Sequence, residues 1–366
     1  MNRSLLLTDE QEEFREVLRA VLEKTTDLDR IRVVPSPDAD FDHRAWDAVV
    51  ELGAVATLVS TDHGGLGLGL TEASIVLAEA GRSFAAAPVF TSLLASAAIA
   101  ATDDDQLKEE LLPAIAQGSL IVALAFTEDP RSWIPSTPAV RASSDGATRV
   151  SGTKTFVRDG QFADVLLVLT AEGLVVLDPT TSGVTRTPVS VLDASVFAAR
   201  VDFALAEGRT VAVHDLAGYL EHVDAVASVL LAATQHGAYE RALELTVQYA
   251  KDRVQFGRSI GSFQAVKHPL AEWAMEAELA SALLRDATSL ADASHDAEFI
   301  AAALVVQVKM QRLAFTGAAW MARVHGGIGY TWEHDAHLYL KQARTSQLLL
   351  GTPAVRAQRL ARALAI

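Results

Sequence analysis

The residues best able to do chemistry lie between Lys251 and His268, in KDRVQFGRSIGSFQAVKH. Lys251, Arg253, Arg258 and Lys267 stand there against one acid, Asp252, in a chain whose formal net charge is -15. A basic island in an acidic protein suits an anionic ligand. Gly257 and Gly261 break helix periodicity and predict a tight turn between two helices. Phe256 offers a flat apolar surface, and Gln264 both donates and accepts hydrogen bonds. The same residues also describe a helix–loop–helix corner with a solvated basic face, and taken alone they leave both readings open. Further along, His334 and His337 stand three apart beside Glu333 and Asp335. On a helix that spacing puts both rings on one face, as a zinc site or as a capping or interface cluster. His63-Gly64-Gly65-Leu66-Gly67-Leu68-Gly69 is glycine-rich but lacks the preceding strand and the spacing of a dinucleotide fold, which makes it a packing turn.

Elements of several kinds must position these residues. The 366 residues allow two or three domains, and 50 % of them are hydrophobic. The chain has no Cys, which excludes disulfides, thiol nucleophiles and Cys-based metal sites. Net acidity argues against non-specific nucleic-acid binding. No run of about 18 consecutive apolar residues predicts a membrane span. The start, MNRSLLLTDEQEEFREVL, reads as an amphipathic helix rather than a leader, and a cytoplasmic location is the simplest expectation.

Residues 1–117 read as helices. Thr8 caps the first, with Gln11 in capping-box spacing and Phe14, Val17, Leu18 and Val21 on one face. Phe41 to Leu52 is a second helix with Trp46, Val49 and Val50 inward, and Thr71 to Arg82 another. Residues 118–214 read as a β-domain, with strands predicted at 120–127, 149–157, 164–169, 174–177 and 200–203. Residues 215–366 return to helix. Leu270, Trp273, Ala277, Ala280 and Leu284 form a bundle seam, Phe299 to Val324 is apolar nearly all round, and Asp335 to Leu349 is a last long helix; four helices predict a bundle. Gln307 and Gln311 read as hydrogen-bonders inside it. The fold class is α+β: a helical domain, a β-domain and a four-helix bundle.

RVQFGRSIGSFQAVKH, followed by HGGIGYTWEHDAHLYLKQARTSQLLL at 325–350, resembles the RxxFG and GGxGY segments of acyl-CoA dehydrogenases, in the same order and at similar separation. The resemblance covers nearly the whole chain. It implies FAD, removal of hydrogens from Cα and Cβ of an acyl-CoA thioester, a carboxylate base, and an electron-transfer flavoprotein or similar acceptor. It also implies that Arg253, Phe256, Gln264, Arg323, Gly326 and Gly327 reach a neighbouring subunit's FAD, with Arg253 on the pyrophosphate. Thr127 and Phe156 fall at flavin-facing positions.

Two family base positions are empty. The common Glu position, 24 residues after Gly326 and before Gly351-Thr352, is Leu350. The alternative, 26 residues before Arg253, is Ala227. Neither side chain takes a proton. One reading is the base-lacking subunit of a heterotetramer, as in actinobacterial α2β2 enzymes that include steroid side-chain dehydrogenases. A second is a homo-oligomer with a displaced base, Asp224 first, then Glu221 or Glu333. A third is a non-catalytic scaffold. Thr127-Glu128 match the family, but Arg131-Ser132-Trp133 lack its Gly-Ser pair, Phe156 replaces a Trp, and Arg158 stands where a small hydroxyl residue is usual. These changes put this chain's own flavin pocket in doubt and favour the heteromer, with a Glu-bearing partner.

Overall fold

The computed structural model describes residues 7–32, 36, 39–143, 146–293 and 296–366; the first six residues, part of the segment read above for a leader, lie outside them. The N-terminal helices are α1 (Asp9–Thr25), α2 (Leu28–Arg32), α3 (His43–Glu51), α4 (Leu70–Ser83), α5 (Val89–Ala100) and α6 (Asp105–Ala116). Thr8 and Gln11 form the capping box that their spacing predicts. Leu18 and Leu22 are the buried stripe of α1, whereas Val17 is 42 % exposed because it lies at the edge of that stripe. Trp46 and Val49 are buried, and Val50 only partly so.

Seven strands follow: β1 (Val122–Ala125), β2 (Arg141–Ser143), β3 (Thr148–Arg158), β4 (Val165–Thr170), β5 (Gly173–Leu177), β6 (Val184–Pro188) and β7 (Ala198–Val211). Their order is β1-β4-β5-β7-β3-β2, with β6 also on β7, and only β1–β4 is parallel. Alternation explains the layers. On β4, Leu167 and Leu169 join the helical core, while Leu166 and Val168 pack with Val150, Val157 and Val201 on the other face. The chain reading anticipated neither β2 nor β6, because both are short and neither has a fully buried residue. It also cut β7 to a third of its length. A bulge interrupts β7 at Leu205, whose φ is 56° and which falls between the pairs Ser151–Ala204 and Val150–Ala206.

The C-terminal part comprises α7 (Leu216–Asp252), a hairpin of β8 (Val254–Gln255) and β9 (Arg258–Ser259), α8 (Gln264–Asp292), α9 (Asp296–His325), a 3-10 turn (Gly326–Tyr330), α10 (Ala336–Ser346) and α11 (Pro353–Ala363). The four-helix bundle is α7, α8, α9 and the short α10. All five seam residues of α8 are buried. Helices α4 and α7 touch backbone to backbone: a Cβ on Gly237 would lie 1.8 Å from the Ala78 carbonyl oxygen, and one on Gly81 2.1 Å from that of Thr234. Helix α9 is buried on one side, and Arg312, Phe315 and Thr316 are exposed on the single chain. By length and composition α7 and the α9 segment could each cross a membrane, but 67 % of the apolar window of α7 is buried inside the fold.

Candidate active site and cofactor clamp

The turn after α10 carries Leu350 back into the cleft between α5 and the sheet. Leu350 is 4 % exposed. It lines a hole of about 40 Å³ with Phe90 and Leu94 of α5, Leu124 of β1, Trp133 and Phe156. The segment is held firmly. Gly351, at φ 104°, bridges to Ser132, the Thr352 N–H donates to the Arg131 carbonyl, and Gln311 donates to the carbonyls of Gln347 and Gly351. Gln311 is thus the hydrogen-bonder its position predicts. Gln307 is not: it is fully buried and neither side-chain polar atom has a partner.

Arg158 reaches into the same hole. Its guanidinium sits 4.3 Å from the Phe90 ring centre, and its Nε lies 3.7 Å from Asp159 Oδ2, too far for a hydrogen bond. Burial pushes Arg158 below its ordinary range and pushes Asp159 and Asp193 above theirs, each partly opposed by attraction between the cation and the acids. Asp159 accepts from Thr91 Oγ1, and the Asp193 backbone donates to Thr345 Oγ1. One buried charge cluster therefore ties α5, the sheet and α10 together beside this hole. Sequence reasoning flagged Arg158 but missed Trp133 as a filler. The indole stacks on Phe126 with ring centres 5.6 Å apart, a contact between residues seven apart that no periodicity announces.

Asp224 is 2 % exposed and bound to Arg356, with Nη1 2.8 Å from Oδ1, while Arg359 approaches Oδ2 at 3.1 Å. Arg356 is fully buried and also donates to Ser228. Both carboxylate oxygens of Asp224 are thus engaged by guanidiniums of its own chain. Asp224 does not line the hole around Leu350. The expectation that proximity to Ala227 suits it as a base meets this ion pair, whose second partner lies 132 residues away and was invisible to helical spacing.

Beside the filled hole, on the other side of Phe156 and Trp133, a slot of about 310 Å³ stays open. Thr127, Phe156, Pro130, Thr345, Leu348 and Leu349 line it, with Arg344 at the rim. The Thr127 hydroxyl is buried there and has no hydrogen-bond partner. The doubt about this chain's own flavin pocket thus separates into two parts, an open slot and a filled cleft. Glu128 shapes the loop beside the slot: it accepts from the N–H groups of Ala139 and Val140 and from Lys154 Nζ at 2.7 Å. Burial lowers the pKa of the fully buried Lys154, opposed by Glu128.

The other predicted residues, Arg253, Phe256, Gln264, Arg323, Gly326 and Gly327, are all exposed, and none lines the slot. Phe256 tips the β8–β9 turn at φ 54°, 92 % exposed, next to Gly257 at φ 76°. Nothing lies within 4 Å of where a Cβ would stand on Gly326 or Gly327, so a ligand can approach their backbone. His334 and His337 do not converge on a metal site. His334 Nδ1 accepts from the Ala336 N–H, and His337 Nε2 faces the Trp332 carbonyl. No group of three or more potential metal ligands occurs among the described residues.

The N-terminal and C-terminal domains of acyl-CoA dehydrogenases match residues 8–119 and 225–365 respectively. The acyl-CoA dehydrogenase IpdE2 of Mycobacterium tuberculosis is 33 % identical over 94 % of each chain. The chain belongs to the acyl-CoA dehydrogenase family. A solved structure described as the Tcur3481-Tcur3483 steroid ACAD G363A variant is 27 % identical, with a TM-score of 0.87 over 98 % of each chain. The ChsE4-ChsE5 complex of Mycobacterium tuberculosis, at 23 % identity and TM-score 0.87 over 99 % of each chain, shares the fold. Acyl-CoA dehydrogenases are FAD-dependent flavoproteins. The residues here fit a flavin in two places: the slot with its unpartnered Thr127 hydroxyl suits a ring, and the exposed basic and glycine-rich segments suit a phosphate-bearing arm.

Proposed function

We propose that this chain is the base-lacking subunit of a heteromeric, FAD-dependent acyl-CoA dehydrogenase acting on a thioester with a steroid-derived or other bulky acyl group. The observation that carries this reading is the contrast around Leu350. Where a carboxylate would take the α-proton there is a buried apolar side chain, and the acyl space beside it is filled by Trp133 and Arg158. The clamp residues stand outside that cleft and are exposed, which suits donation to a partner.

Bound FAD supplies the hydride acceptor for the substrate Cβ. On this chain Arg253 would bind the pyrophosphate by a charge-assisted bond, Gly326 and Gly327 would offer open backbone, Gln264 a two-way hydrogen bond, and Phe256 an apolar cover, with Arg323 adding positive charge. Thr127 and Phe156 would bind a ring in the chain's own slot. The partner subunit supplies the Glu. We divide the work among residues 1–117, 118–214 and 215–366, place the protein in the cytoplasm, and assign electron-transfer flavoprotein or a similar carrier as acceptor. The ion pair of Asp224 disfavours a displaced base, and the unpartnered Thr127 hydroxyl in an open slot disfavours a flavin-free scaffold.

The test is to purify the chain alone and together with a Glu-bearing relative, and to measure FAD per chain by absorbance. Low flavin alone and about one FAD per pair together supports the shared site. Full loading with dehydrogenation of acyl-CoA by the lone chain overturns it.

A further inference from the structure

Three imidazoles underlie the exposed loop 326–332. His325 is 5 % exposed, stacks on Tyr249 of α7 with ring centres 4.2 Å apart, and lies 4.3 Å from the His334 ring. His337 meets the Trp332 ring at 4.9 Å. Above them Ile328, Tyr330 and Trp332 are 49 %, 74 % and 54 % exposed. The His334 bond needs a bare ring nitrogen, whereas the bonds of His325 and His337 to carbonyls need one ring proton each and favour the charged form, against burial. His325 Nδ1 lies 2.8 Å from the Met321 carbonyl and must carry the proton, which leaves Nε2 bare. His334 Nδ1 accepts from the Ala336 N–H, so a proton there would leave that backbone donor without an acceptor. His337 Nε2 faces the Trp332 carbonyl and carries its proton, while Nδ1 is buried with no partner.

We propose that this knot of His325, His334 and His337 is a pH-sensitive latch on the GGxGY loop, closed when the three rings are neutral and opened by protonation. The proposal rests on the reading that this loop forms part of a partner's FAD clamp. The surrounding charges do not supply a dedicated counter-ion. Asp335 is engaged by Arg32 of α2 at 2.6 Å, Lys341 of α10 lies over the Trp332 ring at 4.2 Å, and Glu333 faces solvent. Arg32 and Lys341 oppose a charge on His337 while Asp335 favours one, and His334 opposes a charge on His325. Burial is the largest cause lowering His325 and His337, so their neutral forms belong to the closed loop and opening takes up protons. Closure is complete above the ordinary imidazole value of about 6.5. It weakens below it, by up to about tenfold per pH unit for each of His325 and His337, and levels off once their lowered closed-state values are passed.

The test has two arms. In the lone chain, hydrogen-exchange protection of the Ala336 amide, corrected for intrinsic rate, is measured from pH 7.5 to 5.5. In the assembled pair, FAD release is followed by flavin fluorescence over the same range. The non-titrating variant H325N/H334N/H337Q keeps donors and acceptors in similar places, and H334N alone serves if the triple variant does not fold. The expected result is a loss of Ala336 protection of about tenfold or more in the native chain, less than twofold in the triple variant and a reduced loss in H334N, with FAD release following protection. Protection that does not change with pH, or that changes equally in native and variant chains, overturns the latch. A latch that responds in the lone chain while the pair holds no shared FAD upholds the pH device and overturns the clamp reading instead.

Discussion

The cleft around Leu350 and the surface around Phe256 differ in how completely each is finished by this chain alone. In the cleft, Leu350 is 4 % exposed, an Arg–Asp–Asp cluster crosses between layers, and only about 40 Å³ is left. At the surface, a hairpin tip 92 % exposed and two glycines with open space beside them have no ligand-like contacts within the chain. In the cleft, buried charges of opposite sign lie close together and apolar side chains fill most of the space, so changes there should cost stability. Groups at the surface have spare capacity, so changes there should cost binding while leaving the fold intact.

The largest effect is expected at the other buried ion pair, at Asp224→Asn. It leaves the buried Arg356 and the partly buried Arg359 without a carboxylate, and should lower unfolding free energy by about 3–5 kcal/mol in urea titrations. A variant with native stability and no turnover would instead mark Asp224 as a base. Leu350→Glu comes next. It puts a carboxyl in a small buried hole, where desolvation, opposed by Arg158 in the same lining, raises its folded-state pKa above the unfolded value of about 4.3. The penalty therefore appears as pH rises past that value and grows by about 1.4 kcal/mol per unit up to the folded value. The melting-temperature gap to the native chain should widen between pH 5 and pH 7, and a constant gap would mean that the new carboxylate is paired or solvated.

Arg158→Thr should cost about 1–3 kcal/mol at pH 7, because it removes the cation beside Asp159 and Asp193. Both acids are already raised by burial and would rise further, so the cost should shrink as pH falls and they protonate. A pH-independent loss would assign the role of Arg158 to its packing on Phe90. The smallest stability change belongs to Arg253→Ala and Phe256→Ala, each within about 0.5 kcal/mol. Arg253→Ala should nevertheless weaken FAD retention by the assembled pair by about tenfold or more, measured by dialysis and absorbance. Equal FAD retention would remove Arg253 from the clamp.

The exposed surface was the more legible of the two regions. Its signals are local: a basic cluster, a turn with Gly257, and a GGxGY run, all within short windows. The cleft was legible only in part. That the residue before Gly351-Thr352 is a leucine is read directly, but the closure around it depends on Trp133, Phe90 and Leu124, which come from three separate segments. Similarly, Asp224 looked available on its helix because Arg356 lies far along the chain.

By itself the sequence determined the order of helical, β and helical segments, the α8 seam, the cap at Thr8 and the apolar residues Leu350 and Ala227 at their two positions. Periodicity, capping and residue identity act over a few residues and need no partner from elsewhere. Tertiary structure alone decided that Asp224 is paired with two arginines, that Arg158 and Trp133 fill one side of Phe156 while a slot of about 310 Å³ stays open on the other, and that three histidines share one knot. Each of these depends on where distant side chains meet and on how much water remains between them, which burial sets and local pattern does not encode.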